Sequence, residues 1–432
     1  MKNIQATLFA FFLVWFACCL RSTAQVSSAL VYVSAGGSNS NNGQSTATPK
    51  ATIGGATGAL SVCPAVGCSI YQLSPTAESS IVISQANIAI NFAPGVTTIS
   101  GNIEMLNNNI SLIGYGDDTD QESTTGTILR MSGAPSGTQG GIVAARDSLS
   151  PTRAIMRPRV EGLFIKGSGS EGGLDSAYSS CVMLIGSWHG VIERNHCLGS
   201  DTPNTAAFML QDVYVSASQT VGSYYNEIRH NTCRYMAKCI ELYSVGTGGV
   251  NQNHITFNSG SSDAVGMEYT GTGVEWNTSE GNDISSASDG WIGFYMTGAS
   301  VYNLSIDDAL ELGTGSSTLG LYLDSGVAGN IFLHPHFDNV AMPVADKSVS
   351  QDTVFIGNPA NTQGPSLLAT QSVLLSGGLA FHTISKLTPD NGTERYCTDC
   401  KNVPDGAVAG HACVGGGSGS IAKRLNGKWL CN

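Results

Sequence analysis

Charge is what this chain has least of: Asp, Glu, Lys and Arg make up 12% of its 432 residues, about half the share of an ordinary soluble protein. Coiled coils, charged helical bundles and charge-rich disorder are excluded by that shortage. Past residue 20 no long apolar run occurs, so no later segment is a candidate membrane span. Basic residues are few, 20 against 32 acidic for a formal charge of −12, and they form no cluster of the kind that neutralises phosphates. Nucleic acid is therefore excluded as a partner. What the chain does have is glycine, 53 residues, with Ser, Thr and Asn in similar excess and no collagen-like period. That composition suits many short strands joined by tight turns.

Met1-Lys2-Asn3, an apolar run from Ala6 to Leu20 and the small exit Ser22-Thr23-Ala24 have the order of a secretory signal, with cleavage expected after Ala24. Removing residues 1–24 leaves 18 basic and 32 acidic residues, a charge of −14, and 10 of the 12 cysteines. An even number of cysteines in an exported chain points to disulfides. Cys63 and Cys68 are expected to close one small loop. Cys397, Cys400, Cys413 and Cys431 fit either two disulfides or a tetrahedral zinc site, with export favouring disulfides.

One short strand recurs along the middle of the chain: Phe208–Gln211, Ile240–Tyr243, Met267–Thr270, Phe294–Thr297 and Leu321–Asp324. From Glu241 to Glu268, Tyr295 and Tyr322 each step is 27 residues. A fixed step of this size predicts stacked coils, none of which can bury its apolar face alone. Alternation assigns Phe208, Ile240, Met267, Phe294 and Leu321 to the inside, together with Leu210, Leu242, Tyr269, Met296 and Leu323. A second register is read through Ile192, Ile228, Ile255, Ile284, Ile306 and Leu333, giving two strands per coil. Asn195, Asn231 and Asn258 each fall three residues after a register isoleucine and should stack at one bend. Cys197 and Cys233 share the next position; with Cys181 and Cys239 nearby, three pairings are open.

The opening Val31-Tyr32-Val33-Ser34-Ala35-Gly36-Gly37-Ser38, then Asn42-Gly43-Gln44 and Ala47 to Ile53, resembles the start of right-handed parallel β-helix proteins of the pectate-lyase-like superfamily. The resemblance covers about residues 29–360 and implies an all-β, single-stranded right-handed parallel β-helix with an N-terminal cap helix near residues 49–60. The division that follows is signal 1–24, β-helix 25–360, a linker or last partial coil over 361–385, and a small Cys-rich C-terminal module over 386–432. The acidic motifs of polygalacturonase-type hydrolases are missing in their proper order, since only Asp307-Asp308 and an earlier Trp188-His189-Gly190 occur. Arg153 and Arg157-Pro158-Arg159 read as a basic loop before the Val160 strand.

On the outward side, Met209, Glu241, Glu268, Tyr295 and Tyr322 should form one column, and Gln211, Tyr243, Thr270, Thr297 and Asp324 the next. Glu241 and Glu268 on neighbouring rungs, about 4.8 Å apart at the backbone, are the candidate catalytic pair, because close carboxyls drive one pKa upward. Tyr243, Tyr295, Tyr322 and Asp324 are the candidate substrate-binding residues. Glu241, Glu268 and Asp324 also offer the oxygen ligands a Ca²⁺ would take, although no metal set is defined by spacing. Secondary candidates are Arg229 and His254 on the neighbouring strand, beside Glu193 and Glu227, and His334 with His336.

The resemblance implies a secreted enzyme degrading an extracellular polysaccharide, as lyase or glycoside hydrolase, along the outer face. The rival reading is a non-catalytic carbohydrate-binding adhesin or tail-spike-like module, for which a homo-oligomer such as a trimer is expected.

Overall fold

Runs of three to six β-branched, aliphatic and aromatic residues, broken by Asn and Gly, are too short to pair with themselves and must find partners one coil away. The computed structural model shows where they find them. It describes residues 29–356, apart from 59–66, 117–125, 134–139, 147–152, 168–173, 175–177, 200–205, 217–218, 247, 287, 313–317, 339, 341 and 349–352, and residues 394–431, apart from 398–399, 402–410, 419 and 426–427. The expected signal, the Cys63 side of the expected Cys63–Cys68 loop and the 361–385 linker lie outside the described residues.

Twelve strands, from Ala29–Val33 to Val354–Ile356, form one parallel sheet in which each strand pairs with its counterpart one coil later. The remaining strands of the coils form a 23-stranded sheet, parallel throughout. This course is consistent with a β-helix-like solenoid. The single helix among the described residues, Ile53–Gly58, falls inside the expected cap. Thr52 Oγ1 accepts from Gly55 N at 2.9 Å, and the buried Glu78 carboxylate accepts from Ile53 N and Gly54 N at 2.7 and 3.0 Å. Free helix N–H groups are thereby satisfied from the first coil.

The 27-residue register holds residue for residue. Phe208, Ile240, Met267, Phe294, Leu321 and Val344 are successive partners, and the first five are at most 1% exposed. Fully burying such a side chain stabilises by about 1.5–3 kcal/mol. The second register holds only through Ile255. Its partner is Ser279, then Ser305 and Phe332, whereas Ile284 pairs with Gly260 in the other sheet and Ile306 and Leu333 occupy the outer flank of their strands. The reason is chemical: Ser279 Oγ and Ser305 Oγ donate to buried Asp308 Oδ2 at 2.5 and 2.7 Å, so two inward positions are polar and the apolar pattern jumps a strand. Two strands per coil is likewise too few. The coil beginning at Ser187 contains Ser187–Trp188, Val191–Glu193, His196–Leu198 and Ala206–Gln211.

Asn195, Asn231 and Asn258 stack as expected, and the ladder continues to Asn282 and ends on Asp308. At Asn258, N and Nδ2 both donate to Asn282 Oδ1, at 3.0 and 2.9 Å, and Nδ2 also donates to Ile228 O at 2.9 Å. A second ladder, Asn226, Asn253, Asn277, Asn303 and Asn330, repeats the pattern at the opposite end of the same strands. The residue before each of these asparagines turns the corner in the left-handed region: Tyr225, Gln252, Trp276 and Tyr302 have φ of 57–58°, and Arg194, His230 and Phe257 of 52–54°. Non-glycine residues seldom hold such angles, and here the amide ladder fixes them while their side chains point outward. Tyr302 is followed in its row by Gly329, where a Cβ would come within 2.6 Å of the Tyr302 ring.

The expected pairing choice among four cysteines resolves to Cys181–Cys197 and Cys233–Cys239. Cys197 and Cys233 are register neighbours, yet Cys197 bonds back to Cys181 in the preceding coil and Cys233 to Cys239 in its own strand. Both Cα separations, 6.1 and 5.6 Å, suit a disulfide. In the C-terminal piece, Glu394–Cys397, Ser420–Leu425, Lys428–Cys431 and His411–Ala412 form a four-stranded antiparallel sheet. Cys397–Cys400 and Cys413–Cys431 are disulfides, which leaves no thiolate among the four for zinc.

Candidate functional site

Glu241 and Glu268 are direct partners in the parallel ladder, followed by Tyr295 and Tyr322, so the outward column exists as read. Outward does not mean exposed, however. Glu241 is 7% and Glu268 9% accessible. The preceding members of the column, Met183 and Met209, belong with Val213 and Val221 to an apolar patch on the outer face. Val213 and Val221 come from an antiparallel pair, Val213–Ser216 with Gln219–Val221, inserted between coils. Tyr243 packs against that patch, which uses part of the ring surface expected to face a sugar.

Lys238, three residues before Glu241, supplies the cation absent from the column itself. Its Nζ lies 2.7 Å from Glu241 Oε1 and 2.8 Å from Glu268 Oε2. Burial acts to lower the Lys238 pKa, but the two carboxylates outweigh it and hold the ammonium above its ordinary value. Burial pushes the Glu241 carboxyl up; Lys238 opposes the rise and Glu268 adds to it. The expected upward shift of one carboxyl is present, with desolvation rather than like charge as its main cause. The site where a Ca²⁺ would bridge the glutamates is spanned by this ammonium. Asp324 is already engaged, accepting from Thr297 Oγ1 on the preceding rung at 3.2 Å and from Ser325 N in its own turn at 2.7 Å.

Beyond the pair, the Tyr295 and Tyr322 rings meet edge to face at 5.2 Å, and Lys347 Nζ stands 4.9 Å over the Tyr322 ring. Two carboxyl groups contacting one ammonium, with half-buried rings on the next two rungs, have the residue types that acid–base chemistry on a sugar chain needs.

The secondary candidates separate. Arg229 bridges Glu227 at 2.6 Å and Glu193 at 3.2 Å, and Arg159 joins the same network through Glu161 and Glu193 at 2.6 and 3.2 Å. Burial raises Glu161, but hydrogen bonds from Arg159 and Arg194 prevail and hold its carboxyl below the usual range. Arg229 is thus a member of a surface ion-pair network, with His254 exposed on the next rung beside Glu227. His334 and His336 part company: His334 Nδ1 faces Asp307 Oδ1 at 3.3 Å, and His336 Nε2 faces Glu311 Oε1 at 3.7 Å. His336, Glu311 and Asp338 bring potential ligand atoms within 4.8 Å of one another.

The exposed corner rings were not anticipated. Trp276 and Tyr302 stack at 4.8 Å and His189 and Tyr225 at 5.2 Å, with Trp276 57% accessible. Their trace in the sequence is an Asn pair five residues apart, Asn226/Asn231, Asn253/Asn258 and Asn277/Asn282, each Asn preceded by a large or polar residue except Asn282, which follows Gly281.

No protein-family model and no curated protein matches the chain. Among solved structures, the GH136 lacto-N-biosidase from Eubacterium ramulus aligns as its selenomethionine derivative and as its native protein. The identities are 11% and 10%, over 83% and 76% of this chain and 72% and 68% of theirs, at TM-scores of 0.30 and 0.31. At those scores the likeness decides neither fold nor activity.

Proposed function

We propose that this chain is a secreted right-handed parallel β-helix protein of pectate-lyase-like type that holds an extracellular polysaccharide along its outer face and hydrolyses it. Glu241, whose carboxyl burial pushes upward, is the general acid, and Glu268, the second carboxylate on Lys238, is the nucleophile or base. Tyr295 and Tyr322 line the approach. The observation supporting this reading is the contact of both carboxylates with one ammonium on adjacent rungs. The test is incubation with a panel of neutral and acidic polysaccharides while following both reducing ends and ultraviolet-absorbing unsaturated products. New reducing ends without unsaturation support hydrolysis; unsaturated products would replace it with a lyase.

A second reading, a non-catalytic carbohydrate-binding module, is favoured by one feature: the glutamates are buried and ion-paired, as a structural triad would be. In that case binding persists with no product of either kind. Light scattering before and after deletion of residues 386–432 then tests whether the C-terminal piece holds a trimer together.

A further inference from the structure

A pocket of about 460 Å³ lies on the face of the twelve-stranded sheet, lined by Asn109, Ser111, Arg157, Pro158, Arg159, His189 and Val191. Its residues come from three successive rungs, because Ser111, Arg159 and Val191 are register partners and Asn109, Arg157 and His189 are the left-handed residues that start the same strands, with φ of 56°, 53° and 56°. The volume suits a small ligand unit, and the lining is divided. Pro158 and Val191 offer an apolar surface, while Asn109, Ser111, the two arginines and His189 ring it with polar groups.

The charges are not equivalent. Arg159 is neutralised by Glu161 and Glu193. Among the described residues the ion pairs on this face use Arg159, Arg194 and Arg229, and none uses Arg157. In a chain with 32 acidic and 20 basic residues, an uncompensated guanidinium at a pocket is out of keeping with the surface around it. Its planar fork of donors matches a carboxylate or sulfate. The backbone on either side is held, with Arg157 N donating to Trp188 O at 2.8 Å and Val191 N to Pro158 O at 2.9 Å. His189 is braced by its stack on Tyr225.

We infer that this pocket binds one sugar unit carrying an anionic group, with Arg157 taking the oxyanion and Pro158 and Val191 taking the apolar face of the ring. The inference rests on the carbohydrate reading above and adds to it a charge requirement, at a place separate from the Glu241–Glu268 column.

The test is calorimetric titration of the full chain with three probes: an oligouronate of four to six residues, its carboxyl-reduced counterpart and a sulfated neutral oligosaccharide of equal length. The oligouronate, the sulfated oligosaccharide or both should bind at least about tenfold more tightly than the reduced oligomer, and which one does so identifies carboxylate or sulfate. Arg157→Asn should abolish that preference, and Arg157→Lys should keep part of it. Asparagine already occupies this row, with the same backbone angle, at Asn87 and Asn109, so Arg157→Asn is expected to fold, and an unchanged melting curve checks it. Equal binding of the reduced oligomer, or a preference that survives Arg157→Asn, overturns the anionic site and leaves the carbohydrate reading standing. Failure of all three to bind overturns the anionic site, and the polysaccharide panel separately decides the carbohydrate reading.

Discussion

Lys238 Nζ lies 2.8 Å from Glu268 Oε2 on the next rung while also holding Glu241 of its own rung at 2.7 Å. One ammonium therefore ties two coils together on the outer face. Lys238→Met removes it and leaves two buried carboxylates facing each other, so the variant should lose about 3–5 kcal/mol of stability at neutral pH. Part of the loss should return as the pH falls and a proton takes the place of the ammonium. Chemical denaturation at pH 7 and pH 5 measures both.

The same pair sets an alkaline limit. Because the carboxylates hold the folded Lys238 pKa above its ordinary 10.5, its contribution is complete below the unfolded value and is lost as pH rises through the folded one. Wild type should show a stability decline in that alkaline window that Lys238→Met lacks. Parallel declines in the two proteins would assign the effect elsewhere.

The Asn ladder has a direction, and its members are not interchangeable. Asn258 donates to both neighbouring rungs, which aspartate cannot do. Asn258→Asp should therefore destabilise by about 1–3 kcal/mol or more, the cost of unsatisfied and repelling buried groups. A melting temperature equal to wild type would mean that the ladder contributes little.

Asp308, at the end of that ladder, should behave in the opposite sense. Burial raises its pKa, with hydrogen bonds from Ser279, Ser305 and Asn282 opposing the rise. A carboxyl raised in the folded state contributes most below the unfolded pKa and loses that contribution as pH rises through the folded value. Asp308→Asn should melt higher than wild type at pH 7, with the gap closing as pH is lowered, in scans across that range.

The columns were legible because a 27-residue step combined with alternation leaves one choice of register, and Glu241, Glu268, Tyr295 and Tyr322 fall where that choice puts them. Lys238 was not legible. Simple alternation gives it the inward side with Ile240, but Cys239 and Ile240 are both buried, so alternation breaks between them and the Lys238 ammonium reaches the outer glutamates. The Ser279 and Ser305 positions hid the second register for a related reason, since a buried carboxylate made polar residues correct where an apolar one was sought. The packing of the inserted Val213 and Val221 against Met183 and Met209 is a contact that the repeat spacing does not record.

The most direct measurement is turnover of the best polysaccharide from the panel by wild type, Glu241→Gln and Glu268→Gln, with melting temperature read on the same samples. Each variant keeps one carboxylate on Lys238 and should remain folded. Both should lose turnover by about two or more orders of magnitude, the scale of a positioned proton transfer, while still binding the chain. Full activity in both folded variants would contradict the account, and would show that Glu241, Lys238 and Glu268 only join one coil to the next.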